Sequence, residues 1–260
     1  MYKENTKAGN VIGQATIMMV AGIVVRIIGV VYRSPVTSMI GDVGNGYYTL
    51  AYNIYAMVLL ISSYSIPMAV SKVVSGKMAL KQYRDAHKVF RCALLYVLVV
   101  GGLASVLLFF GAPLLIPKSQ VGAIPALRVL APAIVVSGVL GVLRGYFQAH
   151  GTMLPTSISQ IVEQILNAAV SIGGALLFIR LLAGNNEEKR AEAGAMGSAA
   201  GIVAGVVAGL IFMLFIYTMN QKYFLKRCHS LSLPSTIPYI APCHCDNLYI
   251  SHKNTAVTSM

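Results

Sequence analysis

The 260-residue chain is 57% hydrophobic and only 11% charged, with a mean hydropathy of +0.72, whereas a typical soluble domain carries roughly 25% charged residues. That excludes a soluble domain and makes the chain an integral membrane protein. The net charge of +12 would suggest nucleic acid in a soluble protein, but here it is read as a topology signal and as contacts to membrane lipids.

The first predicted element is residues 11–33, VIGQATIMMVAGIVVRIIGVVYR. It is long enough to span, since a membrane helix needs about 20 apolar residues. It does not read as a cleaved signal peptide: Lys3 and Lys7 precede the apolar run, but no A-x-A-like site closes it. Arg26 lies inside this run, where an arginine facing lipid costs from about 2.5 to more than 10 kcal/mol. Arg33 ends the run beside Tyr32 and can snorkel to the headgroups. Arg26 is roughly 10 Å deeper at 1.5 Å per residue, so it is expected to face an internal polar cavity, with a purely structural partner as the alternative.

Further apolar stretches follow at about 46–70, 92–116, 124–147, 157–182 and 195–219. With the first they predict an all-α lobe of six transmembrane helices, because backbone groups in lipid must be satisfied within the segment. The intervening loops are expected at 41–46, 72–91, 117–122, 150–155 and 185–192. Basic residues crowd the second loop (Lys72, Lys77, Lys81, Arg84, Lys88 and Arg91), the N-terminus and the segment 222–227. By the positive-inside rule these are cytoplasmic, which places residues 1–10 and 220–260 in the cytoplasm and the lobe itself over 11–219. The 72–91 loop is expected to form a helix along the membrane surface, with lipid-headgroup binding as its functional alternative.

In the second stretch, Tyr47 and Tyr48 fit an interfacial belt, while Tyr52, Asn53 and Tyr55 either line a cavity or bond to neighbouring helices. Pro132 predicts a kink in the fourth. Glu163, in the fifth, is the only acidic residue within the apolar runs. It reads as an ion or proton site, or as the buried counter-ion of Arg144 or Arg26, which spares a lone carboxylate in hydrocarbon. In the sixth, Gly197, Gly201, Gly205 and Gly209 share one face and invite close packing of another helix, from this chain or a partner.

RIIGVVYR (26–33), GNGYYTLAYNIYAMVLLISSYSIPMAVSKVVS (44–75), LRVLAPAI (127–134) and RGYFQAHGTMLPTSISQIVEQI (144–165) resemble the N-terminal half of polysaccharide-biosynthesis flippases. The likeness is to the stage V sporulation protein B-like branch of the multidrug/oligosaccharidyl-lipid/polysaccharide exporter superfamily, which includes lipid II flippases. It implies two six-helix lobes around a central cavity and alternating-access export of an undecaprenyl-pyrophosphate-linked saccharide from the cell membrane. It also implies that first-helix arginines meet the pyrophosphate, a pair that Arg26 and Arg33 match with one extra residue between them. Arg26, Arg33, Arg144 and Glu163 are therefore the candidate substrate-binding residues.

Two features depart from that family. Only one lobe is present, so function would need a second lobe or a homodimer. Past Arg227 the sequence becomes CHSLSLPSTIPYIAPCHCDNLYISHKNTAVTSM, which is read as a frameshifted or truncated end from about residue 228. A zinc site there is disfavoured, since Cys243-His244-Cys245 are adjacent whereas paired ligands keep two or more residues between them. No cofactor is implied and no enzyme motif such as H-E-x-x-H, G-x-S-x-G or a Walker lysine is present. The competing readings are an ion-coupled small-cation exporter of the same superfamily and a membrane scaffold or fragment that transports nothing. A small-cation exporter would place acids in its cavity, whereas the charges buried here are mainly arginines.

Overall fold

The computed structural model describes the backbone of residues 2–63, 65–182 and 186–229, and the side chains of 13–63, 65–181 and 186–220. Every regular element there is helical: α1 (Tyr2–Ser62), α2 (Ile66–Ala79), α3 (Tyr83–Leu115), a 3-10 helix (Lys118–Ala123), α4 (Ile124–Leu130), α5 (Ala133–Ala149), α6 (Leu154–Leu182) and α7 (Glu187–His229). Four helical runs are long and apolar enough to cross a membrane, and α4 with α5, bent by 41°, makes a further candidate. The chain is thus an all-α membrane protein. Met1–Lys222 form one compact unit and Tyr223–Met260 a second; the readings made of Cys228 onward lie outside the described side chains.

α1 carries two of the expected spans. Its 61 residues would reach about 90 Å as a straight rod, three times the roughly 30 Å hydrocarbon core. Gly41, at φ 76° and ψ 174°, divides it into two limbs. Those angles fall in a region that essentially only glycine occupies. No atom lies within 4 Å of where a Cβ would sit, so the backbone rather than space requires glycine. The loop expected at 41–46 therefore shrinks to one residue.

Contacts along the helices fix their relative directions. The first limb runs parallel to α6: Met153 N donates to Gln14 Oε1 (2.8 Å), Asn167 Nδ2 to Tyr32 Oη (3.3 Å), and Val36 and Ile40 cluster with Ala175. α7 runs antiparallel to α6, with Gly197 against Gly174, Gly201 against Ser171 and Gly205 against Asn167. α5 runs parallel to α7, since Gly209 meets Leu140 and the Tyr217 ring lies 6.1 Å from that of Tyr146. The second limb runs parallel to α4 and α5, with Tyr47 on Gly122 and Tyr55 bonded to Ser137 (3.3 Å). α3 opposes them, its Phe90 ring 4.5 Å from Tyr146 and Ser105 donating to Ala131 O at 2.8 Å. The first limb, α3 and α6 thus point one way, and the second limb, α4–α5 and α7 the other. The six apolar stretches alternate, and the chain reverses at Gly41.

Several expectations change in detail. The surface helix expected over 72–91 is instead α2, which starts at Ile66 with Pro67 in its first turn, where a missing N–H costs nothing. It buries Val70 and Val74, and Pro67 packs against Gly141 and Gly145. α3 then begins at Tyr83, so Arg84, Lys88 and Arg91 belong to the start of a span. Of the 185–192 loop, residues from Glu187 onward form the first turns of α7. Tyr47 is no belt residue but is buried against Gly122. Of the deeper trio, Tyr55 is buried on Ser137 while Tyr52 and Asn53 are exposed. Pro132 marks the bend between α4 and α5, and Ser105 caps the carbonyl of Ala131 there, as side chains do at proline breaks in lipid.

Candidate functional site

The polar groups of α6 are the frame of the site. Thr156, Ser159, Glu163, Asn167 and Ser171 recur every three or four residues, which puts them on one helix face. In hydrocarbon such groups need partners; neighbouring helices supply them for Ser159, Glu163, Asn167 and Ser171, while the buried Thr156 Oγ1 has none among the described residues. Arg144, on α5, donates from Nη2 to Glu163 Oε2 at 2.7 Å and from Nε to Ser159 Oγ at 2.9 Å. Ser159 in turn donates to Thr156 O at 2.8 Å. Higher up, Asn167 takes Tyr32 of the first limb, and Ser171 has both Asn167 Oδ1 (3.1 Å) and Ser198 O (3.2 Å) within reach.

The Arg144 and Glu163 side chains are 15% and 26% exposed. Burying either alone would cost several kcal/mol, so the pair neutralises what the apolar surroundings could not hold singly. Of the two counter-ions open to Glu163, the structure selects Arg144 and not Arg26. Glycines let the helices close on this polar row. A Cβ at Gly205 would stand 2.6 Å from Glu163 O, one at Gly209 3.4 Å from Glu163 Oε2, and one at Gly29 3.2 Å from Gln164 Nε2. The stripe Gly197–Gly209 is therefore filled by α6 of the same chain, and is not a face free for a second copy.

Arg26 and Arg33 stand apart from this cluster. Both are exposed on the first limb, and among the described residues neither has a carboxylate within ion-pair distance, the two ion pairs being Lys88–Asp85 and Arg144–Glu163. Arg26 lies among the exposed apolar side chains Ile23, Ile27 and Val30. Within this unit it faces outward, rather than into an enclosed cavity. Arg33 lines a cleft of about 580 Å³ with Ser34, Thr37, Ser38 and Asp42, at the Gly41 break.

Sequence reasoning missed Tyr32, Ser159, Asn167 and Ser171. The signal was present: polar residues stepping by three and four inside an apolar run mark a face turned towards protein. Which helix answers each of them was not written in that spacing.

Fold and site together define a multi-pass helical membrane protein that, among its described residues, holds a part-buried ion pair between α5 and α6 and leaves Arg26 and Arg33 of its first helix outside any ion pair. The sequence profile of the polysaccharide biosynthesis protein family matches residues 12–240, and the chain belongs to that family. It is similar to three proteins of Bacillus subtilis (strain 168). The lipid II flippase MurJ is 30% identical over 169 residues, 61% of this chain and 31% of the relative. The uncharacterized membrane protein YabM is 28% identical over 185 residues, 71% and 34% of the two chains. Stage V sporulation protein B is 27% identical over 156 residues, 59% and 30%. The chain thus spans about a third of the length of the curated relatives it matches. The flippase resemblance read from the sequence holds.

Proposed function

We propose that the chain is one lobe of a flippase that turns an undecaprenyl-pyrophosphate-linked saccharide across the cell membrane, with its N-terminus in the cytoplasm. Its partners in this reading are the lipid-linked saccharide, the surrounding lipids and a second lobe or second copy. The observation that carries it is Arg26, a guanidinium within an apolar helix, exposed on this lobe and without a carboxylate partner among the described residues. A charge kept in such a place needs a counter-charge that arrives from outside the lobe. A pyrophosphate fits, because a guanidinium binds phosphate oxygens through two parallel N–H donors. Arg33, with the hydroxyls of its cleft, would take the same headgroup one step along the helix. No bond is made or broken: the lobes rock about the cargo, as in alternating access.

Arg144 and Glu163 serve this reading as the brace between α5 and α6, with substrate contact a secondary role. Since Glu163 is already neutralised by Arg144, the small-cation exporter loses the one intramembrane carboxylate it would need.

The test is Arg26→Ala and Arg26→Lys in cells carrying the intact system, scored by appearance of the lipid-linked saccharide at the outer face. Loss of a charge-assisted bidentate contact should cut turnover by roughly tenfold or more in the alanine variant, with an unchanged amount of protein in the membrane. Lysine, a point charge, should restore only part. Unchanged turnover in Arg26→Ala would remove Arg26 from the mechanism.

A further inference from the structure

A second depression lies between α3, α5 and α7, with His87 and Leu94 on α3, Val139 and Leu143 on α5, and Leu214 and Tyr217 on α7. It is a half-open groove of about 310 Å³, at the lower end of the range for small-molecule sites. Its floor is apolar, with Leu94 from α3, Leu143 from α5 and Leu214 from α7. Phe90 and Tyr217 stack across one end with ring centroids 5.8 Å apart. At its mouth stands Arg91, exposed and without a carboxylate within ion-pair distance among the described residues.

Arg91 does not stand alone. Arg84 and Lys88 precede it at helical spacing and are exposed, and Lys72, Lys77 and Lys81 lie just before them in the chain. Lys88 is held by Asp85 at 3.4 Å, the one acidic side chain in this basic stretch. The groove therefore sits where the apolar part of α3 begins and the basic segment ends. An occupant must bring hydrocarbon to the leucine floor and an anion to Arg91, on the scale of one molecule, at the level of the headgroups.

We propose that this groove is a binding site for an anionic diacyl phospholipid of the surrounding bilayer, with one acyl chain on Leu94, Leu143 and Leu214 and the headgroup phosphate at Arg91. Charge complementarity at the mouth selects against a zwitterionic lipid, whose ammonium would stand beside the Arg91 guanidinium. The lipid would tie α3, α5 and α7 together at one end of the bundle, away from Arg26 and Arg33. It is independent of what the protein transports.

The test is native mass spectrometry of the full chain purified in detergent and titrated with phosphatidylglycerol or phosphatidylcholine of matched acyl chains. One cation at a membrane surface is worth about a fivefold preference for an anionic lipid, so the first phosphatidylglycerol should be retained about fivefold better than phosphatidylcholine. Arg91→Gln should abolish that preference while leaving binding of either lipid measurable. Leu143→Trp, which fills the floor, should reduce retention of both. Lys118→Gln, at the far end of α3, should change neither. Equal retention of the two lipids by the unaltered protein, or a preference that survives Arg91→Gln, would overturn the proposal. So would a groove that retains no lipid, which would point to a protein segment as its cover.

Discussion

Arg144 and Glu163 show how one charge makes another tolerable. Their 2.7 Å contact and the Ser159 hydroxyl satisfy groups that the apolar run could not hold alone. Removing one member of a buried pair strands the other, whereas replacing both by apolar side chains removes the desolvation cost along with the attraction. Glu163→Gln should destabilise the lobe by about 1–3 kcal/mol, reduced from the fully buried case because both side chains retain some exposure. The double variant Arg144→Met/Glu163→Met should be less damaging than the sum of its singles. Thermal unfolding in detergent of the unaltered protein, Arg144→Met, Glu163→Met and the double variant measures this as a coupling energy. Additive losses would mean the contact contributes nothing. The pairing was half legible beforehand, because the sequence offered Glu163 two arginines and only the placement of α5 beside α6 chose between them.

Among the elements, α6 and α7 are joined by absence of side chains. At Gly197 a Cβ would lie 2.5 Å from Gly174 C and O and from Ala175 N, all backbone atoms that cannot rotate aside. At Gly102 on α3 nothing lies within 4 Å. Alanine should therefore act with opposite sign at the two sites. Gly197→Ala must push the helices apart and lower the melting temperature, whereas Gly102→Ala should gain roughly 0.5–1 kcal/mol from helix propensity. The check is monodispersity by size-exclusion chromatography after graded heating. A shift in the same direction for both would show that the close α6–α7 approach is not what those glycines serve. The four-residue glycine spacing announced a packing face in the sequence, but not its partner, since either a helix of this chain or one of another copy would fit it.

For the molecule as a whole, alternation of the six stretches fixes which loops share a side, and the proposed reading puts the basic 72–91 side in the cytoplasm. Lys81, between α2 and α3, and Lys118, after α3, lie at opposite ends of one membrane-length helix. In a background lacking the exposed Cys92 and the other native cysteines, Lys118→Cys should react with a membrane-impermeant maleimide in intact cells. Lys81→Cys should react only after lysis. The reverse pattern would invert the topology and place the Arg91 groove at the outer face.

What the sequence determined by itself was the class of solvent and the segmentation. Spans of about 20 apolar residues, Pro132, the glycine stripe and the crowding of cations at 72–91 are local properties, because hydrocarbon demands satisfied backbone and low charge at every position independently. It also carried the family, through motifs spread over both ends of the lobe. Tertiary structure alone decided that the chain reverses at one glycine, that Arg144 rather than Arg26 neutralises Glu163, and that Tyr47 and Tyr55 turn inward. It also left Arg26 and Arg33 outside every ion pair described. Each of these depends on which helix lies beside which, and a polar or small residue in an apolar run states that it needs a neighbour without naming one.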